Sequence, residues 1–367
     1  MVLTEAGSRF VGEVTFQALS GRPVFTDLWN LTQESDIGHI EAADRADLVI
    51  VAPATANLIA RLAAGRASDP LSAVALATKA PILLAPSMNV NMWGHPITQA
   101  NVARLAGRDR YSIVGPGDGF LACRWIGPGR LAEPVDICEA GAFLLSPQDL
   151  VGVRAVVTAG PTREALDPVR FLSNRSSGKM GFALAQVLRR RGAAVRLISG
   201  PVSIDPPLGV DVTEVESAAE LAAAVFAAAE SADVVAMVAA VSDLRPAEVA
   251  GQKIKKDALG QDPVLALARN VDILAELGRR RREAGAGPVL VGFAAETENV
   301  AAAGRAKLDA KGVDLIAAND VSGSLGFGSD DNRVVLIDAN QSEAIERASK
   351  LEIADRIASR IAQLVSD

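Results

Sequence analysis

At 367 residues the chain is too long for one compact core, so two domains are expected. Its 49% hydrophobic but only 4% aromatic content, with 31 glycines, suits parallel strands packed under helices by small aliphatic side chains. A formal charge of −7, from 37 basic and 44 acidic residues, disfavours nucleic-acid and membrane partners, so an anionic ligand needs a local positive cluster.

Cys123 and Cys138 are too few for a disulfide framework, which points to a reducing cytoplasm. No stretch approaches the roughly 20 apolar residues of a membrane span, and MVLTEAGSRF carries no signal pattern. Met1 to Thr4 reads as the tail of a strand and Phe10 to Leu19 as a helix. The sheet is thus expected to be entered in its middle: either the start of the flavodoxin-like domain is truncated or misassigned, or its absent first strand leaves an apolar edge that something else must cover.

In IGHIEAADRADLVIVAPATANLIARLAAG, Asp47 to Ala52 is a buried strand and Asn57 to Ala64 opens a helix. Between them, the small residues Ala54 and Ala56 let a flat ring approach the backbone, with Thr55 and Asn57 able to bond its polar edge. An ordinary turn with Asn57 as helix N-cap satisfies the same residues. Pro81 to Ala85 is the next strand and leads into APSMNVNMWGHPIT at the same end of the sheet. His39, one of two histidines, stands near a helix start, where structural and catalytic roles are both open. Cys123, as a free cysteine, ordinarily reads as a small buried apolar side chain. The glycines of IGPGR behind it read as a flap.

GHIE, PATAN, APSMNVNMW and LACRWIGPGR fall in the order and approximate spacing of flavin-dependent phosphopantothenoylcysteine decarboxylases, which most of residues 1 to 145 resemble. The resemblance implies that His39 is catalytic, that Asn89 binds the substrate carboxylate and that Cys123 is the proton donor. Ala54, Thr55, Ala56, Asn57 and Ser87 would line FMN. Arg124 and Trp125 depart from the glycine that family often carries after the cysteine.

Glu133 to Leu145 should be a helix, and SPQDLVG a linker, so the domains are placed at 1–147 and 148–367. The second half restarts with a strand at Val153 to Val157, the loop TAGPTREALDPVRFLSNRSSGKMG, and a helix over Phe182 to Arg190. A polar loop placed there in a doubly wound sheet holds an anion against a helix N-terminus, with Arg163, Arg170, Arg175 and Lys179 as counter-charges. It is no Walker A loop, since Ser173 and Met180 stand where Gly and Ser or Thr are required. GPGDGF at 115–120 likewise fails G-x-G-x-x-G.

Further strands are expected near 194–199, 233–239, 288–292 and 313–317. Beside them stand MVAAVSDLRP, KIKK, NVDIL and VGFAAET, each after a strand or at a helix start. KIKK alone reads as a solvated charge run. Next to Asp243, however, Lys253 could meet a magnesium-bound triphosphate. Lys307 and Lys311, four apart, share a helix face as a phosphate clamp or as plain charged surface.

The loop and these four segments resemble phosphopantothenate–cysteine ligases, which in bacteria are often fused behind the decarboxylase; the chain looks like that fusion. The resemblance implies two doubly wound, Rossmann-like, three-layer α/β domains, the first flavodoxin-like and N-terminally incomplete. CTP would contact Met237, Val238, Ala239, Asp243, Lys253, Val271, Asp272, Ile273, Leu274, Phe293, Lys307 and Lys311. Lys253 would also act in catalysis, and Asn174 would carry an acyl-cytidylate forward. FMN and Mg2+ are the implied cofactors, with CTP as cosubstrate. The implied ligands are 4'-phosphopantothenate, cysteine and 4'-phosphopantothenoylcysteine, and the implied assembly is a homo-oligomer of ligase dimers and decarboxylase trimers, up to a dodecamer. Two other readings stand beside it: a working ligase with an assembly-only first domain, and a nicotinamide-dependent oxidoreductase, against which the absent glycine fingerprint counts.

Overall fold

The computed structural model describes residues 1–28, 38–120, 126–255, 264–296, 298–320 and 329–366. They fall into two units, Met1–Ser146 and Pro147–Asp367. The first contains α1 (Glu5–Ser8), α2 (Glu13–Ser20), α3 (Gly38–Asp44), β1 (Val49–Ala54), α4 (Ala56–Ala63), α5 (Pro70–Ala77), β2 (Ile82–Pro86), α6 (Val90–Gly94), α7 (Pro96–Ala106), β3 (Tyr111–Ile113), β4 (Gly117–Phe120), β5 (Ile126–Arg130) and α8 (Pro134–Leu145).

Strands β1, β2 and β3 pair in parallel, in that order. The β2 strand is buried throughout because both faces are covered. Ile82 and Leu84 meet Leu58, Ile59 and Leu62 of α4 on one side, while Leu83 and Ala85 meet Ile137 of α8 on the other. Each of these leucines and isoleucines contributes about 1.5–3 kcal/mol of burial.

Two expectations for the N-terminus change. The helix expected over Phe10 to Leu19 starts only at Glu13, because Gly12 takes an extended conformation as the cap of α2, and a separate short helix, α1, precedes it. Met1 to Thr4 does not join the sheet; Val2 makes an isolated parallel bridge with Phe25.

The second unit contains β6 (Arg154–Ala159), β7 (Arg163–Ala165), β8 (Phe171–Ser173), α9 (Lys179–Arg190), β9 (Ala194–Ser199), β10 (Asp211–Glu214), α10 (Ala218–Ala229), β11 (Val234–Met237), β12 (Leu244–Pro246), β13 (Leu267–Arg269), α11 (Ile273–Ala284), β14 (Val289–Glu296), α12 (Val300–Lys311), β15 (Leu315–Asp320), β16 (Asp331–Asp338), β17 (Ser342–Ser349) and α13 (Lys350–Ser366). Its main sheet runs β10-β9-β6-β11-β14-β15-β16-β17. The first six are parallel and the last two antiparallel. Helices α9 and α13 cover one face and α10, α11 and α12 the other, which makes three layers.

Along the chain the parallel strands are ordered third, second, first, fourth, fifth, sixth. The winding therefore reverses between β6 and β11, and the loops leaving those two strands open the crevice in which doubly wound sheets bind ligands.

Candidate functional site

In the second unit the crevice is built on Thr158, the last polar residue of a buried strand and itself fully buried. Its Oγ1 accepts from the N–H groups of Val238 and Ala239, both at 3.0 Å. That is why β11 stops at Met237: the next two amides turn to a hydroxyl instead of continuing the ladder. Thr162 repeats the device one turn later, its Oγ1 accepting from Ser242 N–H at 3.0 Å. Between them the Ala240 N–H donates to Gly160 O at 2.9 Å.

Asn174 reaches the same turn from the far end of the loop, its Nδ2 donating to the Ala240 and Val241 carbonyls at 3.2 and 3.0 Å. Asn270 closes the other side, donating to Ser242 O at 2.8 Å. The turn at 238–243 is therefore fixed from three directions. The Asp243 side chain has no hydrogen bond among the described residues and is exposed. Because Val238 and Ala239 spend their amides on Thr158, a ligand there meets their carbonyls and side chains.

The long polar loop is more structured than its composition suggests. It contains the antiparallel hairpin of β7 and β8, and Glu164, 4% exposed, accepts from Ala218 N–H at the start of α10 at 2.9 Å. The helix after it starts at Lys179, three residues before the expected Phe182. Its cap, Gly178, adopts φ 79°, where a side chain would be strained and would press on Val202.

The four expected counter-charges are not equivalent. Arg170 is locked to Asp167, Lys179 pairs with Asp330 at 2.6 Å, and Arg163 lies over the Phe171 ring at 4.7 Å. Arg175 is exposed, with no ion pair among the described residues.

Lys253 is exposed after β12, while Lys256 lies outside the described residues. Asp272 is the N-cap of α11, its Oδ1 accepting from Ala275 N–H at 3.1 Å, and Ile273 and Leu274 are buried beneath it beside exposed Val271. Phe293 is half-buried on β14. Lys307 and Lys311 do not form a bare clamp: Glu296 holds the first at 2.6 Å and Asp272 the second at 3.0 Å. A residue the sequence did not single out, Asn319 at the end of β15, has a buried Oδ1 without a hydrogen-bond partner among the described residues. No group of three or more His, Cys, Asp or Glu able to hold a metal occurs among the described residues.

In the first unit the carboxyl ends of β1 and β2 meet, with Ser87 N–H donating to Ala54 O at 3.2 Å. Ala54 is buried while Thr55 and Asn57 face outward. The cap of α4 is Thr55, not Asn57: its Oγ1 accepts from Leu58 N–H at 3.3 Å. Asn57 has no hydrogen bond among the described residues, so its carboxamide can serve a ligand. Small side chains, an outward carboxamide and the Ser87 hydroxyl suit the polar rim of a planar ring.

Asn89 caps α6, its Oδ1 accepting from Asn91 N–H at 2.8 Å. The IGPGR segment is β5, the second arm of a hairpin with β4. Its Gly129 carbonyl accepts from Met88 N–H at 2.9 Å, fastening the hairpin to the Asn89 turn. Gly129 sits at φ 143°, and a Cβ there would run into the Met88 carbonyl oxygen. His39 lies in the first turn of α3, half-buried, and no hydrogen bond joins it to this group among the described residues. Cys123 lies outside the described residues.

Residues 150–365 match the DNA/pantothenate metabolism flavoprotein C-terminal domain, and residues 1–143 match the Flavoprotein family. The chain is 46% identical over 371 residues to the coenzyme A biosynthesis bifunctional protein CoaBC of Bacillus subtilis, covering 99% of this chain and 89% of that protein. The chain belongs to the CoaBC family. The Escherichia coli CoaBC is 45% identical, with 96% and 87% covered.

A crystal structure of a CoaBC C-terminal domain matches 60% of this chain and 99% of its own at 39% identity and a TM-score of 0.51. A flavoprotein from Streptococcus pneumoniae, at 22% identity and 0.50, shares the fold. As a CoaBC protein the chain is a bifunctional enzyme of coenzyme A synthesis, a decarboxylase and a ligase in one polypeptide. The nicotinamide and ligase-only readings are not favoured by these comparisons. No helix among the described residues is long and apolar enough to cross a membrane.

Proposed function

We infer that the second unit joins 4'-phosphopantothenate to cysteine using CTP, and that the first unit decarboxylates the product. The observation that carries the ligase reading is the grip of Asn174 on the 240–241 turn at the reversal between β6 and β11. It sets a carboxamide between an arginine-rich loop and the strand end expected to receive a nucleotide.

In this reading the acid's carboxylate attacks the α-phosphorus of CTP and pyrophosphate leaves. Exposed Lys253 meets the charge that grows on that leaving group. Mg2+ commonly keeps several waters and takes one or two carboxylates together with phosphate oxygens, so Asp243 fits as its protein ligand. Lys307 and Lys311 would exchange their carboxylate partners for phosphate oxygens. The cysteine amine then attacks the activated carbonyl, CMP leaves, and an amide forms. Asn174, already oriented by two carbonyls, steadies the acyl-cytidylate for that attack, and the Asn319 oxygen supplies a further acceptor for the substrate.

In the first unit Ala54, Thr55, Ala56, Asn57 and Ser87 would hold FMN. When bound, FMN supplies the oxidation of the substrate thiol and the later return of those electrons. The protein's own part is to orient the substrate carboxylate with Asn89, to keep water out with the β4–β5 hairpin, to act through His39, and to return a proton from Cys123. Self-association is supported by apolar side chains left exposed in each unit: Phe10, Val14 and Leu19 in the first, Val169, Phe171, Leu244 and Leu267 in the second. We assign dimers to the ligase half, trimers to the decarboxylase half, and a dodecamer to their combination.

The test is pyrophosphate release by the full chain with magnesium. It should require CTP and 4'-phosphopantothenate together, and release without the acid would refute the assignment. Purified protein should also retain FMN; failure to retain added flavin would refute the role of the first unit.

A further inference from the structure

Asp167 sits in the turn between β7 and β8 with its side chain fully shielded from solvent. Its Oδ1 accepts from the N–H groups of Val169 and Arg170, each at 2.8 Å. Its Oδ2 accepts from Arg170 Nε and Nη2 at 2.9 and 2.6 Å, and from the backbone N–H of Ile254 at 3.1 Å. The same guanidinium donates to the Ile254 carbonyl at 2.9 Å. One ion pair therefore holds both backbone polar groups of the residue between Lys253 and Lys255. A further bond, Ala250 N–H to Leu166 O at 3.0 Å, lays the segment along the turn.

Burying the Asp167 carboxylate against an exposed Arg170 is a poor way to gain stability, since well-packed apolar side chains often serve as well or better. What this pair secures is a segment with no helix or strand of its own: residues 247–255 lie beyond β12, with Ile254 only half-buried. Resting on the reading of Lys253 as the lysine that meets the nucleotide, we propose that Asp167 is a positioning residue of the ligase reaction. Through Arg170 and Ile254 it sets where the Lys253 ammonium stands, without itself touching substrate. The Arg170 guanidinium beside it holds its carboxyl far below the usual carboxylate range, so the clamp stays ionised at neutral pH.

Asp167→Asn in the full chain tests this. A carboxamide must turn its N–H2 toward one of the two donor sets that the carboxylate now satisfies. Amide exchange in the peptide containing Ile254 should quicken by about tenfold or more while β6 and α9 keep their protection. The kcat/KM for CTP in pyrophosphate release should fall about 10- to 100-fold, as expected for a displaced catalytic group. Lys253→Gln, measured alongside, should lower the same constant.

Unchanged exchange at Ile254 overturns the proposal. So does faster exchange with unchanged kcat/KM while Lys253→Gln is impaired. A silent Lys253→Gln would instead refute the nucleotide-site reading, a failure separable from the exchange result. Should Asp167→Asn not fold, Asp167→Glu keeps the charge but shifts the carboxylate by one methylene; wild-type exchange and kinetics in that variant overturn the proposal equally.

Discussion

Replacing Thr158 by Val keeps the shape of the side chain and removes only the hydroxyl on which two strands close. In the native protein that hydroxyl satisfies two amides, Val238 and Ala239, at 3.0 Å each. An unsatisfied buried donor costs about 1–3 kcal/mol. Both residues are half-buried, so water can recover part of that, and a net loss of about 2–4 kcal/mol is expected. For a unit of this size each kcal/mol is worth roughly 2–4 °C, so a loss near 3 kcal/mol would lower Tm by about 6–12 °C. The assay is urea and thermal unfolding of the full chain, with CTP-dependent pyrophosphate release followed in parallel. Thr158→Ser, which keeps the acceptor, should recover most of both. If Thr158→Val unfolds within about 0.5 kcal/mol of wild type with an unaltered KM for CTP, the hydroxyl does not hold the nucleotide turn.

Asn174→Asp sets a carboxylate against the Ala240 and Val241 carbonyl oxygens; pyrophosphate should still form while acyl-cytidylate accumulates, measured by mass spectrometry of quenched reactions. Gly129→Ala forces a Cβ at φ 143° into the Met88 carbonyl, a backbone cost of about 1–3 kcal/mol, and should cut decarboxylation about tenfold or more while ligation by the same preparation is unchanged. On the acid side, Arg191 holds Asp149, and Arg154 holds Asp233, below the ordinary range, while Arg279 and Arg280 bring Glu276 to about 2. These folded values lie below the unfolded ones, so their stabilisation is complete only above about pH 5 and drains away as pH falls through the unfolded and then the folded values. Asp149 is 40% exposed and screened by water, so Asp149→Asn should cost only about 1 kcal/mol or less at pH 7, and denaturant titrations should show the gap to wild type closing as the pH is lowered.

Five of the six parallel strands of the second unit were readable as short, mainly apolar runs: Ala155 to Val157 and Val234 to Met237 have no polar side chain to mislead, whereas β10, DVTE, is nowhere buried and was not foreseen. The doubly wound class followed from the alternation of such runs with helices, while the strand order that puts the reversal between β6 and β11 came only from the structure. Less readable was structure whose pattern depends on partners far along the chain. DNRVVLID and SEAIERAS form β16 and β17, yet their charges disguise them, and only pairing at the sheet margin makes them strands.

The site was legible as a set of segments rather than as contacts. Asn174 and the 238–243 turn were expected in one pocket and do touch. Thr158 and Thr162, which hold that turn, looked like ordinary strand and loop residues, although a hydroxyl closing a wholly apolar strand is a signal in retrospect. Charge counting overstated the loop's cationic strength, because sequence does not reveal that Asp167 and Asp330 occupy Arg170 and Lys179. The Asn57 cap failed for a local reason: Thr55, two residues earlier, already offers a hydroxyl to Leu58 N–H and starts the helix sooner.

Where the nucleotide sits is tested most directly by hydrogen exchange of the full chain with and without magnesium–CTP. Protection is predicted in the peptides covering 237–243, 253–255 and 271–274, at the carboxyl ends of the strands. Protection confined to the opposite edge, around Arg154 and Arg196 at the strands' amino ends, would contradict the account.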